Sequence, residues 1–166
     1  MAVDTSIIGK PTTAKRVRVE RGPVAAFADA VKDDNPVYHD AVAATAAGFG
    51  NIPVPPTFTF ALPFWGSFAE EQPPDPTHGE NPMHAVMGEL FGQGALVLHG
   101  EQEFTYHRPI EVGMVLDGLG EVVDIYEKET SSALMTFVVI TTKWTDSADG
   151  GPVVTETFNL IARKTK

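Results

Sequence analysis

The chain contains no cysteine, which excludes disulfides, thiolate nucleophiles and cysteine-bound metals together. No apolar run is long enough for a membrane helix. The opening MAVDTSIIGK lacks the basic start and long apolar stretch of an export leader. A cytoplasmic location with no membrane contact is therefore expected. Positive charge is scarce: 12 lysines and arginines stand against 22 aspartates and glutamates, a formal net charge of -10. A field of that sign repels nucleic-acid phosphates, so no nucleic-acid partner is expected. It also disfavours an unaided meeting with an acidic carrier protein. The few basic groups cluster, with Lys10, Lys15, Arg16, Arg18 and Arg21 early and His107 and Arg108 at mid-chain. Such clusters either hold a phosphate of a ligand or are solvated strand faces.

What is present describes a globular protein. Of the 166 residues, 43% are hydrophobic and 20% charged, enough for one domain spanning 1–166 with its own core. From Ala14 to Glu20, charged residues alternate with valine, the period-two pattern of a half-buried strand. Arg21-Gly22-Pro23 breaks it, and Pro23 suits the first turn of a helix through VAAFADAVKD. Asp34-Asn35-Pro36 signals a turn. Residues Asp40 to Ala47 are helix formers with an acidic start, and Gly48 stands where a helix ends. That segment has almost no polar face, so it is expected to be more buried than the helix before it. Phe58 to Glu70 reads as a kinked helix carrying Phe60, Phe64, Trp65 and Phe68, and the acidic, proline-dense stretch after it as a long loop. Four strand-like segments follow: Leu96 to His107, Val115 to Lys128, Ala133 to Trp144 and Val153 to Arg163. The turn residues Asp146, Gly150 and Gly151 join the last two. An antiparallel meander with segregated helices is an α+β fold.

The residues also resemble a known family. Asp33-Asp34-Asn35-Pro36-Val37-Tyr38-His39-Asp40, then Ala47-Gly48-Phe49-Gly50 and Pro55-Pro56-Thr57-Phe58, look like an N-terminal-type MaoC-like dehydratase domain. A second match runs through Leu98-His99-Gly100-Glu101-Gln102-Glu103-Phe104 to Tyr106-His107-Arg108-Pro109. Each motif alone is weak; their order and spacing together are specific. The resemblance implies a single hot-dog domain, an antiparallel sheet wrapped around a central helix. It implies reversible hydration of 2-enoyl thioesters of coenzyme A or acyl carrier protein, with no metal or organic cofactor. A homodimer or a heterodimer with another hot-dog subunit is expected, its seam near Lys128 to Trp144, because a small sheet leaves edges to be covered.

Adding water across an enoyl thioester needs a base to activate water, an acid to protonate the α-carbon and donors where enolate charge develops. Active relatives carry the pair in the order D-x-N-P-x-H. In this chain that order places Asp33 at the aspartate and Tyr38 at the histidine, and a phenol with a pKa of about 10 is a poor base at neutral pH. A rival register pairs Asp34 with His39. Asp33, Asp34, Tyr38 and His39 are thus the catalytic candidates. The resemblance nominates Pro56, Thr57, Phe58, Trp65, His99 and Gly100 for substrate binding, though Thr57 also reads as a helix cap and His99 and His107 as hydrogen-bonded strand residues. Three functions stay open: a self-sufficient hydratase or dehydratase, a non-catalytic acyl-binding subunit beside a catalytic hot-dog partner, and a hot-dog thioesterase using Asp40.

Overall fold

The computed structural model describes residues 5–62, 68–74, 83–92 and 94–165. After a short 3₁₀ turn at Thr5–Ile7, the chain forms β1 (Pro11–Arg18) and α1 (Arg21–Val31), a 3₁₀ turn at Pro36–Tyr38, and then α2 (Ala41–Ala46) and α3 (Phe58–Ala61). A further 3₁₀ turn (Ala69–Glu71) and α4 (Met83–Gly92) precede β2 (Leu96–Tyr106), β3 (Val115–Glu129), β4 (Ala133–Asp146) and β5 (Pro152–Thr165). No helix among the described residues is long and apolar enough to cross a membrane.

Alternation builds the sheet. In β4 the inward positions are Thr136, Val138, Ile140 and Trp144, and in β5 they are Val154, Glu156, Leu160 and Ala162, all buried. The strands pair antiparallel in the order β1-β3-β4-β5-β2. Only β3, β4 and β5 form the expected meander, because β2 crosses over to pair with β5 and ends at the far edge. Irregularities interrupt the register in β1, at His99/Glu101, at Val122/Asp124 and at Trp144/Thr145, and such bulges bend and twist a sheet. Two glycines permit close approaches within it. A Cβ on Gly118 would lie 2.5 Å from the Trp144 ring, and one on Gly100 would lie 2.6 Å from Ile161 Cδ1.

The inner face carries two apolar clusters. One end holds Val17, Leu116, Trp144, Val153 and Val154 under Val24 of α1, Ala44 of α2 and Phe58 of α3. The other holds Val122, Val138, Ile140, Leu160 and Ala162 under Leu90 of α4. This is the hot-dog architecture, and the helix packed over the second cluster is α4, which periodicity did not mark.

The expectation for Asp40 to Ala47 is overturned. Only Ala44 of α2 is buried and Val42 is 76% exposed, whereas α1 buries Val24 and Ala28. A six-residue helix caps one end of the sheet and has too little length to lie within it. The kinked helix over Phe58 to Glu70 is also corrected: α3 stops at Ala61, and residues 63–67, with Phe64 and Trp65, lie outside the described residues. So do residues 75–82 of the acidic loop. β4 is flanked on both sides by β3 and β5 and so offers no free edge to a second sheet. The outer edges belong to β1 and β2, and β2 exposes Leu96, Leu98 and Tyr106.

Candidate functional site

The turn at 33–40 is shaped by its own side chains. Asp33 Oδ1 accepts the Asn35 N–H at 3.1 Å and Asn35 Oδ1 accepts that of Val37 at 3.2 Å. Asp40 Oδ1 accepts the Val42 N–H at 2.8 Å and so caps α2. Pro36 starts the 3₁₀ turn, whose carbonyl takes the His39 N–H at 3.1 Å and the Asp40 N–H at 2.9 Å. The result fixes which neighbour faces which way.

Tyr38 faces a cleft of about 560 Å³. The 33–40 turn lines it with Asn35 and Val37, the following loop with Phe49, Val54 and Pro56, and the end of the second motif with Tyr106, His107, Arg108 and Ile110. The two sequence motifs therefore meet across one mostly apolar space. A backbone bridge between Pro53 and Glu111, and the Glu111 carboxylate accepting the Gly50 N–H at 3.0 Å, hold the sides together. Burial, and then the negative charge of Asp33, push the Tyr38 phenol above its ordinary value. It can donate a hydrogen bond at neutral pH, but its basic phenolate form is scarcer there than that of free tyrosine.

His39 is not among the lining residues. Its Nε2 lies 3.9 Å from Asp29 Oδ1 on α1, and its carbonyl accepts from Arg21 at 2.9 Å. Asp34 is exposed and does not line the cleft either. The turn thus brings Asp33 and Tyr38 together and sends His39 to α1.

The binding candidates separate as well. Pro56 lines the cleft. Thr57 does not cap α3 with its side chain; it stands at φ 68, rare for a β-branched residue, and its N–H donates to the Tyr106 hydroxyl at 2.8 Å. Phe58 is wholly buried, edge-on to Phe27 at 5.4 Å, and belongs to the core. His99 packs with Phe60 and Phe158 on the inner face, and Gly100 sits at the β2 bulge; neither lines the cleft. Trp65 lies outside the described residues.

Two members of the basic clusters are neutralised. Arg108 donates to both carboxylate oxygens of Asp149, at 2.9 and 2.8 Å, and to Asp146 at 3.2 Å. The hydrogen bond from Arg108, helped by the Gly151 N–H, lowers the Asp149 pKa. Arg16 forms a similar fork with Asp117. Both guanidiniums are thus paired within the fold, Arg16 on β1 and Arg108 at the rim of the cleft that it lines. His107 lines the cleft with Nε2 3.0 Å from Thr155 Oγ1. Phe49 and Tyr106 stand in the two motifs without having been nominated for the site, and Ile110 lies just beyond the second motif; the available signal was that two motifs of one family had to converge somewhere.

Residues 6–156 match the family described as FAS1-like, dehydratase domain region. A UPF0336 protein of Saccharopolyspora erythraea is 34% identical over 99% of this chain and 94% of its own. One from Streptomyces avermitilis is 34% identical over 98% and 97%. Among solved structures, the ChsH1-ChsH2 complex from Mycobacterium tuberculosis matches with a TM-score of 0.71 at 22% identity, over 95% of this chain and 86% of that one. The HadBC (3R-hydroxyacyl-ACP dehydratase) complex from the same organism matches with a TM-score of 0.68 at 21% identity, over 96% and 99%. At these identities the structures speak for a shared fold.

Proposed function

The chain belongs to the FAS1-like dehydratase-region family, and from that premise we propose that it is an acyl-thioester-binding subunit of a two-chain hot-dog dehydratase whose partner supplies the acid and base. The observation that carries this reading is the orientation of the 33–40 turn. Tyr38, at the position where D-x-N-P-x-H has histidine, faces the cleft, and the adjacent His39 faces Asp29. The cleft retains the apolar walls of an acyl site but lacks a histidine on that turn. The β2 edge, with Leu96 and Leu98 exposed, offers strand and apolar surface to a second hot-dog chain. The thioester would be that of coenzyme A or acyl carrier protein, in the cytoplasm, with the whole of 1–166 acting as one domain.

One observation favours a second reading, a self-sufficient hydratase: His107 lines the same cleft. Its Nε2 is engaged by Thr155, which makes it the weaker candidate for a base. Hydration of a trans-2-enoyl-CoA by the purified chain, alone and mixed with a hot-dog partner carrying an intact D-x-N-P-x-H, tests both. Activity is expected only in the mixture, and it should vanish when the partner's own aspartate or histidine is replaced. Solo turnover abolished by His107→Ala would establish the second reading instead.

A further inference from the structure

The cleft beside Tyr38 is furnished to hold a ligand and not to move its protons. Among the described residues that line its 560 Å³ there is no carboxylate. Asp33, the acid of the turn, keeps Oδ1 on the Asn35 N–H at 3.1 Å. His107, the histidine on the wall, has Nε2 3.0 Å from Thr155 Oγ1.

Donors are present where bases are not. The Tyr106 hydroxyl oxygen accepts the Thr57 N–H at 2.8 Å and keeps its own proton to give. Across the same space stands Tyr38, its phenol held protonated by burial and by Asp33. Neither hydroxyl proton has an acceptor among the described residues. Two phenol O–H groups among walls of Val37, Phe49, Val54 and Ile110 suit a ligand with an apolar body and one carbonyl oxygen. A free carboxylate suits them less, because Arg108, the cation on the wall, already donates to both Asp149 and Asp146, a group with net negative charge. An uncharged acyl thioester carries the carbonyl without that penalty.

A hot-dog partner of like fold brings a cleft of its own beside its own D-x-N-P-x-H turn. An acid and base act only within hydrogen-bond reach, so they serve the thioester in that cleft. We infer that the cleft of this chain is a second, binding-only acyl-thioester site, in which the Tyr38 and Tyr106 hydroxyls donate to the thioester carbonyl and no base activates water against it. Each two-chain assembly then holds two thioesters and hydrates only the one in the partner's cleft, a conclusion that rests on the two-chain dehydratase reading above.

Calorimetric titration of the pair with octanoyl-CoA, a saturated thioester that cannot be hydrated, counts the sites. Two per pair are expected. Tyr38→Phe and Tyr106→Phe in this chain should each weaken one of the two by about tenfold, the order of loss when one hydrogen bond to a ligand is removed, and leave the other as in wild type. Ala47→Trp puts a bulky side chain at an exposed position of the cleft wall and should reduce the count to one, which guards against a tyrosine variant that fails to fold. Octanoate should not displace the thioester. One octanoyl-CoA per wild-type pair, two with unchanged affinities in all three variants, or equal competition by octanoate would overturn the proposal. A pair that hydrates a trans-2-enoyl-CoA yet binds only one octanoyl-CoA refutes the second site alone; a pair that hydrates nothing refutes the dehydratase reading and the second site with it.

Discussion

The cleft beside Tyr38 and the inner face around Glu156 belong to one sheet-and-helix scaffold, yet their polar groups stand in opposite states. At the cleft, Asp33, Asn35 and Asp40 all accept backbone N–H groups of their own turn, and Tyr106 holds the N–H of Thr57. Around Glu156, three buried polar atoms have no partner among the described residues. Polar groups that bind their own backbone give a site its shape; polar groups left open inside a core cost stability unless something fills them. The first region is thus shaped by bonds to its own backbone, whereas the second holds a carboxyl whose pKa burial raises.

That contrast can be sharpened by substitution. The largest effect is expected where the cleft borders the core. Phe58→Ala should lower stability by about 3–5 kcal/mol in urea denaturation, the usual range for a buried phenylalanine, since Phe58 is a core residue; a small loss accompanied by weakened acyl binding would return it to the binding wall. Asp40→Ala removes a cap and should cost about 1 kcal/mol at neutral pH, measured the same way; no change would show that the turn's hydrogen bonds are dispensable. Glu156→Gln should act in the opposite direction. The folded protein holds the Glu156 proton to higher pH than the unfolded chain does, so wild-type stability is fullest below the ordinary glutamate value of 4.5 and declines as pH rises from there through the raised folded value. The variant should lose that decline, seen as a flatter plot of Tm against pH; an unchanged slope would mean that Glu156 ionises as freely folded as unfolded.

Most of the sheet is readable from the chain because its signal is local. Alternation marks β3, β4 and β5 within a residue or two, and Asp146 with Gly150 marks their last hairpin. Pairing is not local, so the position of β2 beyond β5 could not be read. The helix α4 escaped notice because MHAVMGELFG is apolar on most sides and punctuated by glycine, which offers no clear period. Burial of α2 was misjudged for a related reason: an apolar helix marks where burial is possible, and the packing of neighbours decides whether it happens. For the candidate site, both motifs were legible and their meeting place was not. Glu156 is a further departure from the pattern: counting by twos from Val154 through Phe158 to Leu160 places a glutamate on an otherwise apolar inward row.

The account turns on which of two adjacent side chains serves the cleft. His39→Ala in this chain, reconstituted with a catalytic hot-dog partner and assayed for enoyl-CoA hydration, tests that most directly. With His39 turned towards Asp29, the rate should stay within about twofold of wild type, since a residue outside the reacting site contributes no proton transfer. A fall of about 10²-fold or more, the usual loss for a general acid or base, would place His39 in the cleft and contradict the account.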